Sequence, residues 1–285
     1  MSIVYLNGAF LPREEATVSV MDRGFLFGDG IYEVIPVFHG KPFRLQQHLD
    51  RLSTNLDAVR IPNPHSDPQW AALIEQTIEQ NGGGQLSVYL QVTRGAPPLR
   101  DHGFAQDLIP TVFINATSLP EPDPNKLTKG VKAISMEDIR WKHCNIKAIA
   151  LLPNVLMRQQ ALDEDAAEAI LVRDGQVTEG AASNVFMVTQ GNILTPPKSA
   201  LLLPGITRDL VLELAQEHGF TATEQPFGLD ELARADEIWL TSSLKDILPV
   251  VKLNNHVVGN GQPGNIWKKM SVILETYKAQ LKNGE

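Results

Sequence analysis

The chain has 285 residues, of which 43% are hydrophobic and 20% are charged, with 21 glycines and 19 prolines. This is the composition of a folded globular protein, and it excludes collagenous and low-complexity chains. The formal net charge is −8 and the sequence has no basic cluster, so we expect no nucleic-acid partner. The single cysteine, Cys144, excludes an internal disulfide and a cysteine-based metal centre, and we expect no metal site. No apolar segment approaches the ~20 residues of a membrane span and no secretory signal pattern is present, so we expect a cytoplasmic protein without a membrane partner.

The sequence of residues 1–119 predicts a small α+β domain in which two helices pack on a sheet. Alternating or β-rich runs predict strands at Ser2–Leu6, Ile31–Phe38, Gln85–Thr93 and Thr111–Thr117. Between Arg44 and Arg60 the apolar residues recur every three or four positions, which predicts an amphipathic helix. A second helix is predicted after Ser66-Asp67-Pro68, where an N-cap precedes a proline, and it ends before the glycines at 82–84.

Three prolines within residues 120–124 form a stiff segment, and we place a domain boundary there. Residues 125–285 then predict a larger domain that is rich in strands. The predicted strands are Gly130–Ser135, Ala167–Val172, Val185–Val188, Ile193–Thr195 and Glu237–Leu240, with turn signals at Asp174-Gly175 and Gln190-Gly191. Helices are predicted at Asn154–Leu162 and Arg208–His218. The whole chain is therefore expected to be a two-domain α+β protein.

Two single residues have surroundings that suit chemistry, although each also has an ordinary structural explanation. Lys147 is flanked by aliphatic residues, and apolar surroundings favour the neutral amine, the form that attacks aldehydes. The alternative is a lysine that reaches from a strand to water. Glu179 lies at a strand end before a run of small residues, where a flat ring can lie and a carboxylate can hold its nitrogen protonated. The alternative is a solvated glutamate.

A third pattern, Leu203-Pro204-Gly205-Ile206-Thr207-Arg208, leads directly into a predicted helix. The amides and the dipole of a helix N-terminus bind phosphate, and Gly205 permits close approach. The alternative is an ordinary helix capped by Thr207. Thr241-Ser242-Ser243 offers hydroxyl donors for the same purpose. These features suit a single ligand that has an aldehyde for the amine, a ring nitrogen for the carboxylate and a phosphate for the helix end. That ligand is pyridoxal 5′-phosphate.

A series of motifs runs along nearly the whole chain. The motifs are Asp22-Arg23-Gly24, Phe27-Gly28-Asp29-Gly30-Ile31-Tyr32-Glu33, His48-Leu49-Asp50-Arg51-Leu52, Asp138-Ile139-Arg140-Trp141-Lys142, Asn145-Ile146-Lys147, Thr178-Glu179-Gly180 and Gly205-Ile206-Thr207-Arg208. In this order they resemble the class IV (fold type IV) pyridoxal-phosphate-dependent aminotransferases, and among them the D-amino acid aminotransferases. The resemblance implies a small N-terminal α/β sandwich, a larger C-terminal pseudo-barrel with helices, and a homodimer.

The resemblance also implies a role for each matching residue. Lys147 is then the catalytic residue, which forms the internal aldimine with pyridoxal 5′-phosphate and later moves the proton of the substrate Cα. Glu179 is the partner of the pyridine nitrogen. The implied phosphate ligands are Arg51, the backbone of Ile206 and Thr207, and the hydroxyls of Ser242 and Ser243. The substrates are small amino acids and 2-oxo acids.

The implied reaction is transamination of D-amino acids, in which D-alanine and 2-oxoglutarate give pyruvate and D-glutamate. The implied substrate-binding residues are Tyr32, Tyr89, Arg100 and His102. The last two are two positions apart in a loop, a spacing that in an extended segment sends both side chains to one side, and in the family this pair grips the substrate α-carboxylate. The sequence departs from the family where the interval from Arg94 to Arg100 is longer than usual and where Ala181 and Ala182 replace serines that D-enzymes often carry.

Several alternatives remain open from the sequence. Branched-chain L-aminotransferases, aminodeoxychorismate lyase and (R)-amine transaminases share the implied fold and lysine. The run Tyr89-Leu90-Gln91-Val92-Thr93-Arg94-Gly95 favours the D-enzyme over these three. An alternative from another class is a non-catalytic protein that binds a phosphate ligand at the helix end after Gly205.

Overall fold

The structure, a computed structural model, describes residues 2–280. The chain divides into two compact units, and the first comprises residues 2–120 together with Ile146–Leu151. The second comprises Glu121–Asn145 and residues 152–280. The main division falls at the proline-rich segment. The prediction that all of 125–285 forms the second domain differs from the structure at Ile146–Leu151.

The first unit is built on an antiparallel sheet. Its strands are β1 (Ile3–Leu6), β2 (Ala9–Pro12), β3 (Gly30–Phe38), β4 (Lys41–Pro42), β5 (Leu86–Thr93) and β6 (Thr111–Ser118), and its helices are α1 (Arg23–Phe27), α2 (Leu45–Ala58) and α3 (Asp67–Gln80). The strand order is β2-β1-β6-β5-β3-β4, and neighbouring strands are antiparallel throughout. Ser66 is the N-cap of α3 and Pro68 lies in its first turn, as the sequence predicts, and Gln69 completes a capping box with Ser66.

The core of the first unit lies between the sheet and the two long helices α2 and α3. Its side chains come from alternate strand positions and from helix positions three or four apart, and they include Ile31, Ile35, Val37, Leu49, Leu52, Leu56, Trp70 and Ile74. Because strand residues alternate between faces, Tyr32 and Val34 lie on the face of β3 away from these helices, and Tyr32 is only partly buried. The four predicted strands, the two long helices and the buried stripe of α2 are therefore confirmed, whereas β2, β4 and α1 were not predicted.

The segment Ile146–Leu151 belongs to the first unit because its backbone pairs with β3. The N–H of Tyr32 donates to the carbonyl of Lys147 at 3.0 Å, and the N–H of Ile149 donates to the carbonyl of Gly30 at 3.0 Å. These hydrogen bonds join residues that lie far apart in the sequence, so no local sequence pattern predicts them.

The second unit contains a larger, mixed sheet. Its strands are β7 (Val131–Glu137), β8 (Glu168–Arg173), β9 (Gln176–Gly180), β10 (Asn184–Thr189), β11 (Asn192–Thr195), β12 (Ala222–Glu224), β13 (Glu237–Ser242), β14 (Asp246–Leu253) and β15 (His256–Val257). Its helices are α4 (Pro124–Lys129), α5 (Leu152–Asp163), α6 (Ile206–Glu217), α7 (Leu229–Ala233) and α8 (Asn265–Gln280). The order is β12-β11-β10-β13-β14-β7-β8-β9, with β15 paired to β14. Together with the first unit, this architecture confirms the predicted α+β class.

The two turns predicted in this unit are confirmed. Asp174 and Gly175 join β8 to β9 with φ values of 51° and 77°, and Gln190 and Gly191 join β10 to β11 with 50° and 80°. Positive φ at both central residues is the conformation that matches the twist of a two-residue hairpin. The local sequence thus decides which strands are neighbours here.

The helices of the second unit differ from the prediction in several places, and the short helices α4 and α7 were not predicted. Helix α6 begins at Ile206 rather than near Arg208, with Gly205 as its N-cap, so the alternative in which Thr207 caps the helix is wrong. Helix α8 has no counterpart among the predicted elements. In the described part of the chain no helix is both long enough and apolar enough to cross a bilayer.

Candidate active site

Lys147, the predicted catalytic residue, lies against an aromatic pair in the first unit. Its Nζ is 4.0 Å from the ring centroid of Tyr32, a cation–π distance. Tyr32 stacks on Tyr89 with the ring centroids 5.7 Å apart, and the Tyr89 hydroxyl donates to Gln91 Oε1 at 2.6 Å. Burial and the neighbouring Tyr32 raise the pKa of Tyr89 to about 12, so its hydroxyl is protonated at neutral pH. Three predicted site residues therefore meet here.

Arg51, a predicted phosphate ligand, is held by the buried carboxylate of Glu33. Its Nε donates to Oε1 at 2.8 Å and its Nη2 donates to Oε2 at 2.7 Å. His48 Nδ1 donates to the same Oε2 at 2.7 Å. Burial opposes ionisation of Glu33, but the charge and hydrogen bonds of Arg51 and the hydrogen bond from His48 outweigh it and lower its pKa to about 2. Burial lowers the pKa of His48, which keeps the imidazole neutral at neutral pH.

Arg100 and His102 lie in the segment that links β5 to β6, and both are exposed. The Arg100 guanidinium carbon is 4.7 Å from the ring centroid of Phe27, and the His102 ring centroid is 5.2 Å from the same point. The two side chains therefore lie beside the same aromatic ring.

Glu179 lies in β9 of the second unit and is 4% exposed, so the alternative of a solvated glutamate is wrong. One oxygen contacts Arg140, and the other accepts hydrogen bonds from Asn184 Nδ2 at 3.1 Å and from the N–H of Leu203 at 3.0 Å. Burial raises the pKa of Glu179 to about 7 against the opposing charge of Arg140. The carboxylate is thus fixed at both oxygens, in an environment where a further positive partner stabilises its charge.

The first turn of α6 carries the backbone N–H groups of Ile206 and Thr207, which have no intrahelical partner at this position. Among the described residues no side chain caps this helix. A Cβ at Gly205 would lie 2.0 Å from Asn184 Oδ1, and Asn184 is itself held by Glu179. Only glycine therefore fits at the N-cap, and the helix end has the form of an anion site.

Ser242 is the last residue of β13 and Ser243 follows it, and both are partly exposed. The preceding Thr241 is 1% exposed, and its hydroxyl has no hydrogen-bond partner among the described residues. An unpaired buried hydroxyl costs stability, so this strand end retains unused polar capacity. No group of three or more His, Cys, Asp or Glu side chains in residues 2–280 is arranged to hold a metal ion.

Residues 30–253, which are most of the chain, match the family model for amino-transferase class IV. The chain belongs to the class IV aminotransferases. This class IV aminotransferase is 38% identical over 272 residues to the D-alanine aminotransferase of Bacillus licheniformis, covering 95% of both chains. It is 35% identical over 277 residues to the D-alanine aminotransferase of Staphylococcus epidermidis, covering 97% of this chain and 98% of the relative.

Solved structures of branched-chain amino acid aminotransferases share the fold of this chain. The branched-chain amino acid aminotransferase of Escherichia coli has a TM-score of 0.87 and 25% identity, covering 95% of this chain and 92% of that one. The T.th. branched-chain amino acid aminotransferase with pyridoxamine 5′-phosphate has a TM-score of 0.90 and 24% identity, covering 98% and 94%. The predicted fold type IV is therefore confirmed for this class IV aminotransferase.

Glu33 and His48 are not among the predicted site residues, although the sequence carries a signal for both. Glu33 alternates with Ile31 and Ile35 on the buried face of β3, and a charge at a core position requires a buried partner. Arg51 lies three residues after His48 on α2, a spacing that puts both on one side of a helix. The pattern therefore indicates a buried ion pair.

Arg140 was also not assigned a role, and its signal is weaker. It lies two residues after Asp138 in a loop and donates to that carboxylate from Nε at 2.9 Å and from Nη2 at 2.8 Å. Its contact with Glu179 depends on how β9 packs beside the loop, which local spacing does not reveal.

We expect Glu33→Gln to alter stability in acid. Because folding lowers the pKa of Glu33 from 4.5 to about 2, the ionised side chain stabilises the fold fully above pH 4.5, and this contribution is lost as the pH falls towards 2. The shift corresponds to roughly 3 kcal/mol. Urea unfolding of both proteins between about pH 6 and pH 2 should show their free-energy difference shrinking by that amount. The exposed Glu75→Gln is the control, and its free energy of unfolding should differ from that of the wild type by the same amount at every pH. If the difference between Glu33→Gln and the wild type also stays constant with pH, the ion pair is contradicted.

Proposed function

We propose that this class IV aminotransferase acts on D-amino acids and transfers the amino group of D-alanine to 2-oxoglutarate, giving pyruvate and D-glutamate. The observation that carries the proposal is the similarity to D-alanine aminotransferases, at 38% and 35% identity over 95% and 97% of this chain. The solved branched-chain enzymes share the architecture at 25% and 24% identity, and that level supports the fold. Membership of an aminotransferase family removes the alternative of a non-catalytic phosphate-binding protein.

Class IV aminotransferases use pyridoxal 5′-phosphate, and the described side chains fit this cofactor. The uncapped first turn of α6 suits its phosphate, and the unpartnered hydroxyl of Thr241 shows that polar capacity remains on β13 of the same unit. The buried carboxylate of Glu179 suits the ring nitrogen, and the amine of Lys147 suits the aldehyde. When bound, the cofactor supplies an electron sink for the bonds at the substrate Cα.

Lys147 is the residue that would hold the cofactor covalently and then, as an amine, take the proton from the substrate Cα. Its backbone is fixed by the hydrogen bond from the N–H of Tyr32. The amine is therefore carried by a backbone that is paired with the edge of β3. The Tyr32 ring beside Nζ keeps water away from the amine on that side. The ring face also stabilises the ammonium that forms when the proton is taken.

Glu179 would keep the ring nitrogen protonated. Arg140, Asn184 and Leu203 hold its two oxygens, so no reorganisation is needed when charge changes on the ring side. The phosphate would be bound by the N–H groups of Ile206 and Thr207, by the hydroxyls of Ser242 and Ser243, and by Arg51. Glu33 would orient that arginine through two hydrogen bonds.

Arg100 and His102 would bind the substrate α-carboxylate, with Tyr32 and Tyr89 lining the position of the substrate. Lys147 removes a proton from one direction only. The enantiomer that turns its Cα–H towards the amine is therefore decided by where the carboxylate is held. A carboxylate clasp on this loop selects D-amino acids.

We further propose that the enzyme is a cytoplasmic homodimer in which Arg100 and His102 serve the partner's substrate. Both residues are exposed on this chain, which leaves them accessible to a second copy. Ile139 and Trp141 of the second unit are 58% and 51% exposed, and large apolar side chains in this state are typical of contact surfaces.

We expect Lys147→Ala to abolish transamination and the visible absorbance of the lysine-bound cofactor, because alanine offers no amine. Borohydride reduction of the wild type followed by peptide mapping should place the pyridoxyl label on Lys147. The exposed Lys142→Ala is the matched control and should retain activity and colour. A label on Lys142 or Lys198 would sink the assignment.

We expect Glu179→Gln to lower kcat tenfold to a hundredfold, because the amide loses a charge-assisted hydrogen bond worth roughly 1.5–3 kcal/mol. The Gln side chain has similar shape, so cofactor binding should survive. Steady-state kinetics and cofactor titration measure the two effects, with the exposed Glu164→Gln as control. Wild-type turnover in Glu179→Gln would show that this carboxylate is a bystander.

We expect Arg100→Ala to raise KM for D-alanine and to weaken 2-oxoglutarate binding, because a neutral side chain cannot replace a guanidinium–carboxylate contact. The wild type should also react far better with D-alanine than with L-leucine. This is measured by mixing the holoenzyme with one amino acid at a time and following the change in its visible absorbance. Unchanged kinetics of Arg100→Ala would place the carboxylate site elsewhere. Equal reaction with both amino acids would favour the branched-chain or a mixed-specificity enzyme.

A further inference from the structure

The backbone of the loop that carries Arg100 and His102 is fixed by one buried side chain. Arg23, on α1 and 4% exposed, donates from Nη1 to the carbonyls of Asp101 at 2.6 Å and Gly103 at 3.2 Å. Its Nη2 donates to the carbonyl of His102 at 3.1 Å. Three consecutive carbonyls thus point at one guanidinium, whose planar array of donors a lysine does not have.

Arg23 is itself held by a carboxylate. Its Nε donates to Asp29 Oδ2 at 2.7 Å, and Arg94 donates to both oxygens of Asp29 at 2.8 and 2.9 Å. Burial opposes ionisation, but Arg94 and Arg23 lower the pKa of Asp29. The guanidinium carbon of Arg94 lies 3.6 Å from the ring centroid of Phe104, just beyond the three carbonyls. The loop is therefore clamped at two adjoining places.

Helix α1 also fixes the side chains of the loop. Phe27, on the last turn of α1, lies 4.8 Å from the guanidinium carbon of Arg23. The same ring is 4.7 Å from the guanidinium carbon of Arg100 and 5.2 Å from the ring of His102. One short helix thus determines both the backbone path and the side-chain position of the two residues.

We propose that Arg23 is a positioning residue for substrate selection, which sets where Arg100 and His102 stand by binding the carbonyls of residues 101–103. The inference rests on the proposed function in one respect, that this pair binds the substrate α-carboxylate. Arg23 is committed to the carbonyls and to Asp29, so it acts through the loop. Its loss displaces the carboxylate site and leaves the proton transfer at Lys147 in place, so it raises KM far more than it lowers kcat.

The test compares Arg23→Gln and Arg23→Lys with the exposed Arg13→Gln of the same unit, all as holoenzyme. We expect KM for D-alanine to rise by about tenfold or more in Arg23→Gln, since small displacements of a positioning group have effects of that size. Arg23→Lys should keep the charge and show a similar rise, because one ammonium cannot serve three carbonyls and Asp29. Arg13→Gln should match the wild type. If Arg23→Gln does not fold, Arg23→Lys carries the same test.

Two further measurements separate positioning from a general structural role. In a double-mutant cycle, Arg23→Gln should raise KM little once Arg100 is alanine, because both act on one carboxylate contact. Hydrogen–deuterium exchange should show faster exchange in peptides covering residues 96–108 of Arg23→Gln, while those covering β3 and β5 keep their protection. Additive effects on KM, or unchanged exchange in the loop, would overturn the inference.

The outcomes also separate this inference from the proposed function. If Arg100→Ala raises KM and neither Arg23 variant does, the inference is wrong and the carboxylate role of Arg100 stands. If Arg100→Ala leaves KM unchanged, the carboxylate role itself is wrong, and the role of Arg23 in selection is wrong with it.

Discussion

The ion pair between Glu33 and Arg51 is the constraint on which the first unit depends. A carboxylate on the apolar face of β3 is stable only when charged partners meet it, since an unpaired buried charge costs several kcal/mol. Helix α2 supplies the charged partner Arg51 and the neutral hydrogen-bond donor His48 from one side. The pairing therefore fixes the register of α2 against β3, and it fixes the direction of the Arg51 guanidinium. One residue earlier on the same strand, Tyr32 lies on the opposite face beside Lys147.

The same arrangement recurs at other buried arginines of the chain. Arg23 and Arg94 share Asp29, and Arg140 lies between Asp138 and Glu179. Each cation is oriented by a carboxylate before any ligand arrives. Such fixed dipoles and charges do not need to reorganise during reaction, and this is the property that makes electrostatic catalysis effective. An arginine on a solvated loop lacks this advantage, which explains why Arg100 needs a neighbour to define its position.

Local sequence determines a large part of this architecture, and the reasons differ from element to element. Helix α2 and strand β3 are predictable because their apolar residues follow the helix and strand periods, and the hairpins at Asp174 and Gln190 are predictable because positive φ requires particular residues. The start of α8 is different, because its first N–H groups donate to Glu237 on β13 at 2.9 and 2.8 Å. A cap supplied from a distant strand leaves no mark near the helix.

The candidate site divides in the same way. Lys147, Glu179 and the Gly205 turn stand out because each combines a reactive or permissive residue with unusual neighbours. The partners Glu33, Arg140 and Arg23 do not stand out, since charged residues are usually solvated and only tertiary contacts reveal otherwise. The resemblance to family motifs includes both the residues that stand out and their buried partners. It does not reveal which of these residues contact each other.

The segment around Lys147 has a second duty that follows from its pairing with β3. Strand β3 lies next to the end of its sheet, where β4 covers only Val37 and Phe38. The hydrogen bonds to Lys147 and from Ile149 occupy the opposite end of that margin. An uncovered strand margin is a template for adding foreign strands, which leads to aggregation. The chain thus seals its own sheet with the peptide that bears its reactive amine, so damage that releases this peptide would harm solubility as well as turnover.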